Sequence, residues 1–268
     1  MSKSVLIWGA GAIGGTMGAA LRRAGHEVVL VDNDAAHVAA INANGLAISG
    51  PVEEYRATVK AVTPEQLEGV FPLILLAVKA HHTEGAARML VPHLAQDGAV
   101  VSCQNGLNEL VISRVIGRDR TIGAFVNFGA DWIAPGAIMF GNRGAVVVGE
   151  LHGATTPRLV GLHAMLRDFE PDAVMTGTIW GYLWGKTGYG AILKASALTN
   201  DTIADFIAAP ANRALLKALV REMEVHRDVY VDEEVFRLEM EQLFPNCWVY
   251  VGHDSQVPNP GDYYGTMI

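Results

Sequence analysis

Two stretches of this 268-residue chain hold residue types that could do chemistry together: GAGAIG at 9–14 and WGYLWGKTGYG at 180–190. In the first, Gly9 permits a tight turn, Gly11 lets the backbone approach a pyrophosphate, and Gly14 lets a helix pack closely on a strand. Ala10, Ala12 and Ile13 complete the turn, whose free amides at a helix start suit phosphates. The pattern is weak alone, but here a strand precedes it and a helix follows, which makes it a specific dinucleotide signal. Asp32 ends the next strand. A carboxylate there can accept hydrogen bonds from ribose hydroxyls and repel a 2′-phosphate, which favours NAD(H). Its bland alternative is to cap the next helix with Asn33. The second stretch sets Lys186 among aromatics and glycines. Desolvation lowers the pKa of an ammonium group, and such a group can protonate a carbonyl oxygen as hydride arrives at the carbon. The alternative is a lysine snorkelling from an apolar helix.

These residues need a scaffold. SVLIW, HEVVLVD, LILLAVKA and GAVVSCQNG read as strands, and GGTMGAALRR, AAHVAAINANG and GAARMLVPHL as helices between them. That alternation predicts an α/β fold with a Rossmann-type doubly wound sheet. Lys79 and Asn105 follow two of the strands, at the carboxyl edge where such sheets bind ligands. From about 119 the pattern becomes strands broken by Gly and Pro, read as hairpins extending the sheet at one edge. TPRLVGLHAMLRDF at 156–169 is a helix with Pro157 at its first position. A long helical pattern covers 178–200, and another helix follows the break at Pro210. The expected division is a dinucleotide-binding domain over 1–176, the start of an all-helical domain over 177–224, and an atypical tail over 225–268.

The ordered set GAGAIGG at 9–15, VKA at 78–80, QNGLN at 104–108 and LWGK at 183–186 resembles the ketopantoate reductase (2-dehydropantoate 2-reductase) family over residues 1–222. The resemblance implies nicotinamide-dependent reduction of a 2-keto acid to a 2-hydroxy acid: ketopantoate to pantoate in pantothenate and coenzyme A synthesis, or a related substrate. It implies Lys186 as proton donor, Asn105 as contact to cofactor and substrate, and Lys79 as a cofactor-side lysine. Two positions depart from the family pattern. Gly190 and Lys194 stand where asparagines hold the substrate's polar groups. Lys194 could pair with a substrate carboxylate along the Lys186 face or be simply solvated. The family pattern favours NADP(H) where Asp32 favours NAD(H), so the expected cofactor is NAD(P)H.

The tail resembles the start of a Rieske-type ring-hydroxylating oxygenase large subunit, through VYVDEEVFRLEMEQLF and CWVYVGHDSQVPNPGDYY. It lacks the Cys-x-His and Cys-x-x-His pairs of a Rieske cluster. The expectation is a fusion or gene-model junction near 222–226 that truncates the helical domain, the alternative being a divergent family terminus. On that expectation a dinucleotide-binding protein with little catalysis is the second functional reading. The net charge of −8 and pI of about 5.6 exclude a basic nucleic-acid surface. Apolar runs such as FPLILLAV are too short to span a bilayer. Two cysteines make neither a disulfide framework nor a metal set. The expected protein is cytoplasmic and metal-free, acts on a small molecule, and has its assembly left open, with a homodimer as one option.

Overall fold

The structure, a computed structural model, describes residues 4–223. In chain order the elements are β1 (Ser4–Trp8), α1 (Ala12–Arg23), β2 (Glu27–Val31), α2 (Ala35–Asn44), β3 (Leu46–Ser49), β4 (Tyr55–Ala57), β5 (Lys60–Val62) and β6 (Phe71–Leu76). Then come α3 (Thr83–Leu90), β7 (Leu94–Ser102), α4 (Asn108–Ile116), β8 (Thr121–Val126), β9 (Gly129–Ala134), β10 (Ala137–Asn142), β11 (Val146–Glu150) and α5 (Pro157–Leu166). The last are β12 (Val174–Met175), α6 (Ile179–Ser196), α7 (Ile203–Ala208) and α8 (Arg213–Met223). The tail resemblance over 225–268 lies outside the described residues.

An eight-stranded sheet runs in the order β12-β11-β8-β7-β6-β1-β2-β5. All its neighbours pair parallel except β11 with β8. The continuous apolar runs in β1 and β6 are explained by their central place, where helices or the second sheet cover both faces. Leu6, Ile7, Ile74 and Leu76 are fully buried there. From β1 the chain winds outward through β2, and from β6 it winds the other way through β7 and β8. The two directions part between β1 and β6, and such a switch point opens a crevice at the carboxyl ends of the strands.

A second, four-stranded sheet has the order β4-β3-β10-β9. This corrects the expectation for the region after 119. β8 and β11 do extend the main sheet, but the β9–β10 hairpin between them leaves it. β10 pairs parallel with β3 instead. The reason is α1, which packs on the main sheet with one face and on β3, β4, β9 and β10 with the other. Alternation along β10 buries Ile138 and Phe140. A methyl group on Gly15 of α1 would stand 2.4 Å from Ile138 Cδ1, so the small residue admits the second sheet. Helix α4 was not read from the sequence.

The position of α6 is set by a notch. Gly123 of β8 and Gly149 of β11 are paired across the ladder. A Cβ on either would stand 2.8 Å from Ile179. With Ile179, Trp180 and Leu183 buried against the sheet, the next turn of α6 carries Lys186 to the carboxyl end of β8. Trp180 Nε1 donates to the Leu151 carbonyl at 3.1 Å and fixes the helix start. Beyond α6, the break at Ala209–Pro210 separates α7 from α8.

Candidate active site

One cleft of about 1210 Å³ lies along the crevice at the switch point. It is lined by the glycine turn, by the ends of β2, β6, β7 and β8, by one strand of the second sheet, and by Lys186. Gly9, Gly11, Ala12, Ile13, Asp32, Lys79, Asn105 and Lys186, separated by up to 177 positions in sequence, all face it. Ala10 and Gly14 lie beneath the lining as part of the turn, both buried.

The turn is built from its glycines. Gly9 has φ +101°, a left-handed conformation that disfavours side chains, and a Cβ there would meet the Ala77 backbone at 2.8 Å. A Cβ on Gly14 would stand 2.0 Å from the Gly9 carbonyl oxygen, so α1 can start only with glycine here. Gly11 differs, because a Cβ there would touch nothing within 4 Å. Its missing side chain leaves space over the first turn of α1, whose N-cap receives no side-chain hydrogen bond and whose first turn holds no carboxylate. An open cradle at the positive end of a helix fits a pyrophosphate.

Asp32 is half-buried, and its carboxylate reaches back to the turn: Oδ2 accepts from the Ala10 amide at 2.9 Å and Oδ1 from the Asp34 amide at 3.0 Å. The cap of α2 is Asp34, whose Oδ1 accepts from the Ala36 and His37 amides at 2.9 and 3.1 Å. Asp32 therefore does not take the capping role that was its alternative reading.

His37, unmarked in the sequence analysis, holds the turn from the other side. The Gly136 amide donates to its Nδ1 at 3.0 Å. The proton must then sit on Nε2, which donates to the Ala10 carbonyl at 2.9 Å. The Trp132 indole lies 3.4 Å from Nδ1 and lines the cleft. The only sequence signal was a polar ring in the apolar run AAHVAAI.

Lys186 Nζ donates to the Val126 carbonyl at the end of β8 and lies 5.3 Å from the Phe125 ring centroid. Partial burial pulls its ammonium below the ordinary lysine pKa. The cation thus stands at the cleft, half desolvated, with one hydrogen bond to a carbonyl. Lys79 and Asn105 are exposed in the loops after β6 and β7. Lys194 is also exposed, but outside the cleft lining. A Cβ at Gly190 would meet nothing within 4 Å.

Behind Asn105 lies a buried carboxyl that the sequence analysis did not mark. Glu109 is 0% exposed, and neither carboxyl oxygen has a hydrogen-bond partner. Burial pushes its pKa up to about 8, against the smaller opposing influence of its own backbone, Ser102 and Ala124. The Ser102 hydroxyl is itself unpartnered, so these neighbours lie close without completing hydrogen-bond geometry. Burial first, and Glu109 second, push the Cys103 thiol up to about 12, which makes Cys103 an inert wall of the cleft rather than a nucleophile. Among the described residues no group of His, Cys, Asp and Glu could hold a metal, and no helix is long and apolar enough to cross a membrane.

Comparison with known proteins gives this geometry a lineage. Residues 5–153 match the family model described as ketopantoate reductase PanE/ApbA. The 2-dehydropantoate 2-reductase of Mesorhizobium japonicum is 31% identical over 250 residues, covering 82% of this chain and 74% of that protein. The solved 2-dehydropantoate 2-reductase of Porphyromonas gingivalis shares the fold with a TM-score of 0.76 at 23% identity, over 89% of this chain and 87% of that one. Separately, 42 residues are 40% identical to the toluate 1,2-dioxygenase subunit alpha of Pseudomonas putida, covering 16% of this chain and 9% of that protein. With the family model spanning more than half of its length, the chain belongs to the ketopantoate reductase family of nicotinamide-dependent 2-keto-acid reductases.

Proposed function

We propose that this chain reduces a 2-keto acid, ketopantoate or a relative of it, to the 2-hydroxy acid, with residues 1–176 binding the dinucleotide and 177–224 beginning the substrate domain. One observation carries the reading: the half-buried Lys186 ammonium shares a cleft with an open glycine cradle. Bound there, a reduced nicotinamide dinucleotide supplies hydride to the substrate's carbonyl carbon. The turn Gly9, Ala10, Gly11, Ala12, Ile13 and Gly14 holds the phosphates through backbone amides. Asp32 receives ribose hydroxyls on the lone pairs its two backbone bonds leave free. Lys79 and Asn105 orient cofactor and keto acid from the strand ends. Lys186 stabilises the developing alkoxide and gives it a proton. Lys194, outside the cleft lining, has no part in this reading.

NAD(H) is the proposed cofactor. The ribose end of the cleft presents Asp32, Asp34 and Glu65, and no arginine is among the lining residues. A 2′-phosphate would meet carboxylates there without a guanidinium to offset them. A cytoplasmic setting completes the proposal, consistent with a free, buried Cys103.

The test is oxidation of NADH and NADPH by the purified chain against a panel of 2-keto acids led by ketopantoate. Lys186→Met should lower kcat by about 10²- to 10⁴-fold, the range for loss of a general acid, and leave NADH affinity unchanged. Full turnover by Lys186→Met would refute the acid assignment. NADH binding without turnover on any member of the panel would select the binding-protein reading instead.

A further inference from the structure

Three polar side chains are buried and joined to one another, Gln104 in the wall of the cleft and Thr83 and Asn108 outside its lining. Thr83, Gln104 and Asn108 are 1%, 6% and 7% exposed. Gln104 Nε2 donates to the Val78 carbonyl at 2.7 Å and to Thr83 Oγ1 at 2.8 Å. The Thr83 hydroxyl stands 3.0 Å from Asn108 Oδ1 and 2.7 Å from the Ala80 carbonyl, and its one proton serves these acceptors in turn. Asn108 Nδ2 donates to the Asn105 carbonyl at 2.7 Å. A continuous polar path thus runs from the loop after β6 to the loop after β7.

The backbone does not make this connection. The β6–β7 ladder closes with the Cys103 amide donating to the Leu76 carbonyl at 2.8 Å, and past that bond the strands give way to loops. The path is also incompletely satisfied, since Gln104 Oε1 is buried without a partner. Three buried polar side chains with an orphaned acceptor are a poor choice for stability alone, because apolar packing avoids the desolvation penalty. They do impose a geometry that apolar packing would leave loose: the path holds the carbonyl of Val78, the neighbour of Lys79, and the carbonyl of Asn105 itself, and Lys79 and Asn105 are the two residues assigned above to the ligands.

We infer that Thr83 is a positioning residue, which through Gln104 and Asn108 fixes the loop carrying Lys79 against the loop carrying Asn105. Its effect on catalysis rests on the reductase reading. The bridge itself rests only on the hydrogen bonds.

Thr83→Val keeps the shape and removes the hydroxyl, so that a Gln104 N–H and Asn108 Oδ1 lose their shared partner. Thr83→Ser keeps the hydroxyl. The expected result is a kcat lowered on the order of 10- to 100-fold in Thr83→Val, the scale of a small misplacement of reacting groups. NADH affinity should change far less, and Thr83→Ser should restore turnover. Amide hydrogen exchange over 104–108 should quicken in Thr83→Val and not in Thr83→Ser, although the altered residue lies at the start of α3. A Val variant with wild-type kcat, or a Ser variant as impaired as the Val variant, would overturn the inference. If the wild-type chain reduces no keto acid, the reductase reading fails and exchange alone decides the bridge. Unchanged exchange over 104–108 in Thr83→Val would then overturn it.

Discussion

Glu109 allows a test that needs no ligand. Its carboxyl is fully buried, has no partner on either oxygen, and titrates at about 8 in the fold against 4.5 as an ordinary glutamate. The folded state therefore holds this proton more tightly than the unfolded state does. The sign follows by linkage: the group's favourable contribution is complete below 4.5, shrinks as pH rises, and is gone above about 8. At 1.36 kcal/mol per pKa unit the interval amounts to about 5 kcal/mol, comparable to the whole stability of many domains. Glu109→Gln keeps the shape and removes the titration. Urea unfolding of both proteins across about pH 5 to 9 should give curves that nearly meet at the acid end. The glutamine variant should pull ahead steadily towards the alkaline end, by several kcal/mol in total. All other titrating groups cancel in the difference. Parallel curves over that range would refute the idea of a buried, protonated Glu109.

Three further outcomes follow from the geometry. Because only protonated Lys186 can act as an acid and its pKa is lowered by burial, kcat should fall as pH rises through that lowered value, and Lys186→Met should lose this alkaline limb. Gly123→Ala puts a methyl 2.8 Å from Ile179. Thermal or urea unfolding should show a loss of about 1–3 kcal/mol, the usual range for overpacking, and turnover should drop as α6 shifts. Arg158 binds the 1%-exposed Glu150 carboxylate through Nε at 2.8 Å and Nη2 at 2.6 Å. Removing it in Arg158→Met should cost about 3 kcal/mol in urea unfolding at neutral pH, because the charge left behind is buried. A loss below about 0.5 kcal/mol would show the pair to be no better than a surface one.

Where the periodicity was strong, the sequence was legible. Apolar runs placed β1, β2, β6 and β7, and their alternation with helices foretold the parallel sheet. The glycine spacing located the turn, and Gly14 packs as closely on it as the motif requires. Two kinds of feature were hidden. The second sheet pairs β3 with β10, far apart in sequence, and no local pattern announces which sheet a short half-buried strand will join. Likewise the side chains that brace the site, His37, Thr83, Gln104 and Asn108, are joined to the rest of it by partners 21 to 99 positions away, beside two bonds to carbonyls three positions back. Residue type alone cannot distinguish them from ordinary loop and cap residues. Lys186 and Asp32 stood out because an ammonium in an aromatic setting, or a carboxylate at the end of the strand after a glycine motif, is already unusual in one dimension. Asn105, which alone also reads as a turn dipeptide with Gly106, was marked through the family resemblance.

The second sheet also bears on how the chain matures during synthesis. Domains begin to fold from the N-terminus while the ribosome is still adding residues. Yet the turn formed by the first dozen residues is braced by His37, which takes a hydrogen bond from Gly136, and β3 finds its parallel partner only in β10. A nascent chain that has emerged only through β6 holds the nucleotide motif and His37, but not Gly136, whose amide fixes the His37 ring. Contacts this distant in sequence close slowly, so the cleft, whose lining includes Trp132 of the hairpin, is complete only once that hairpin has left the exit tunnel.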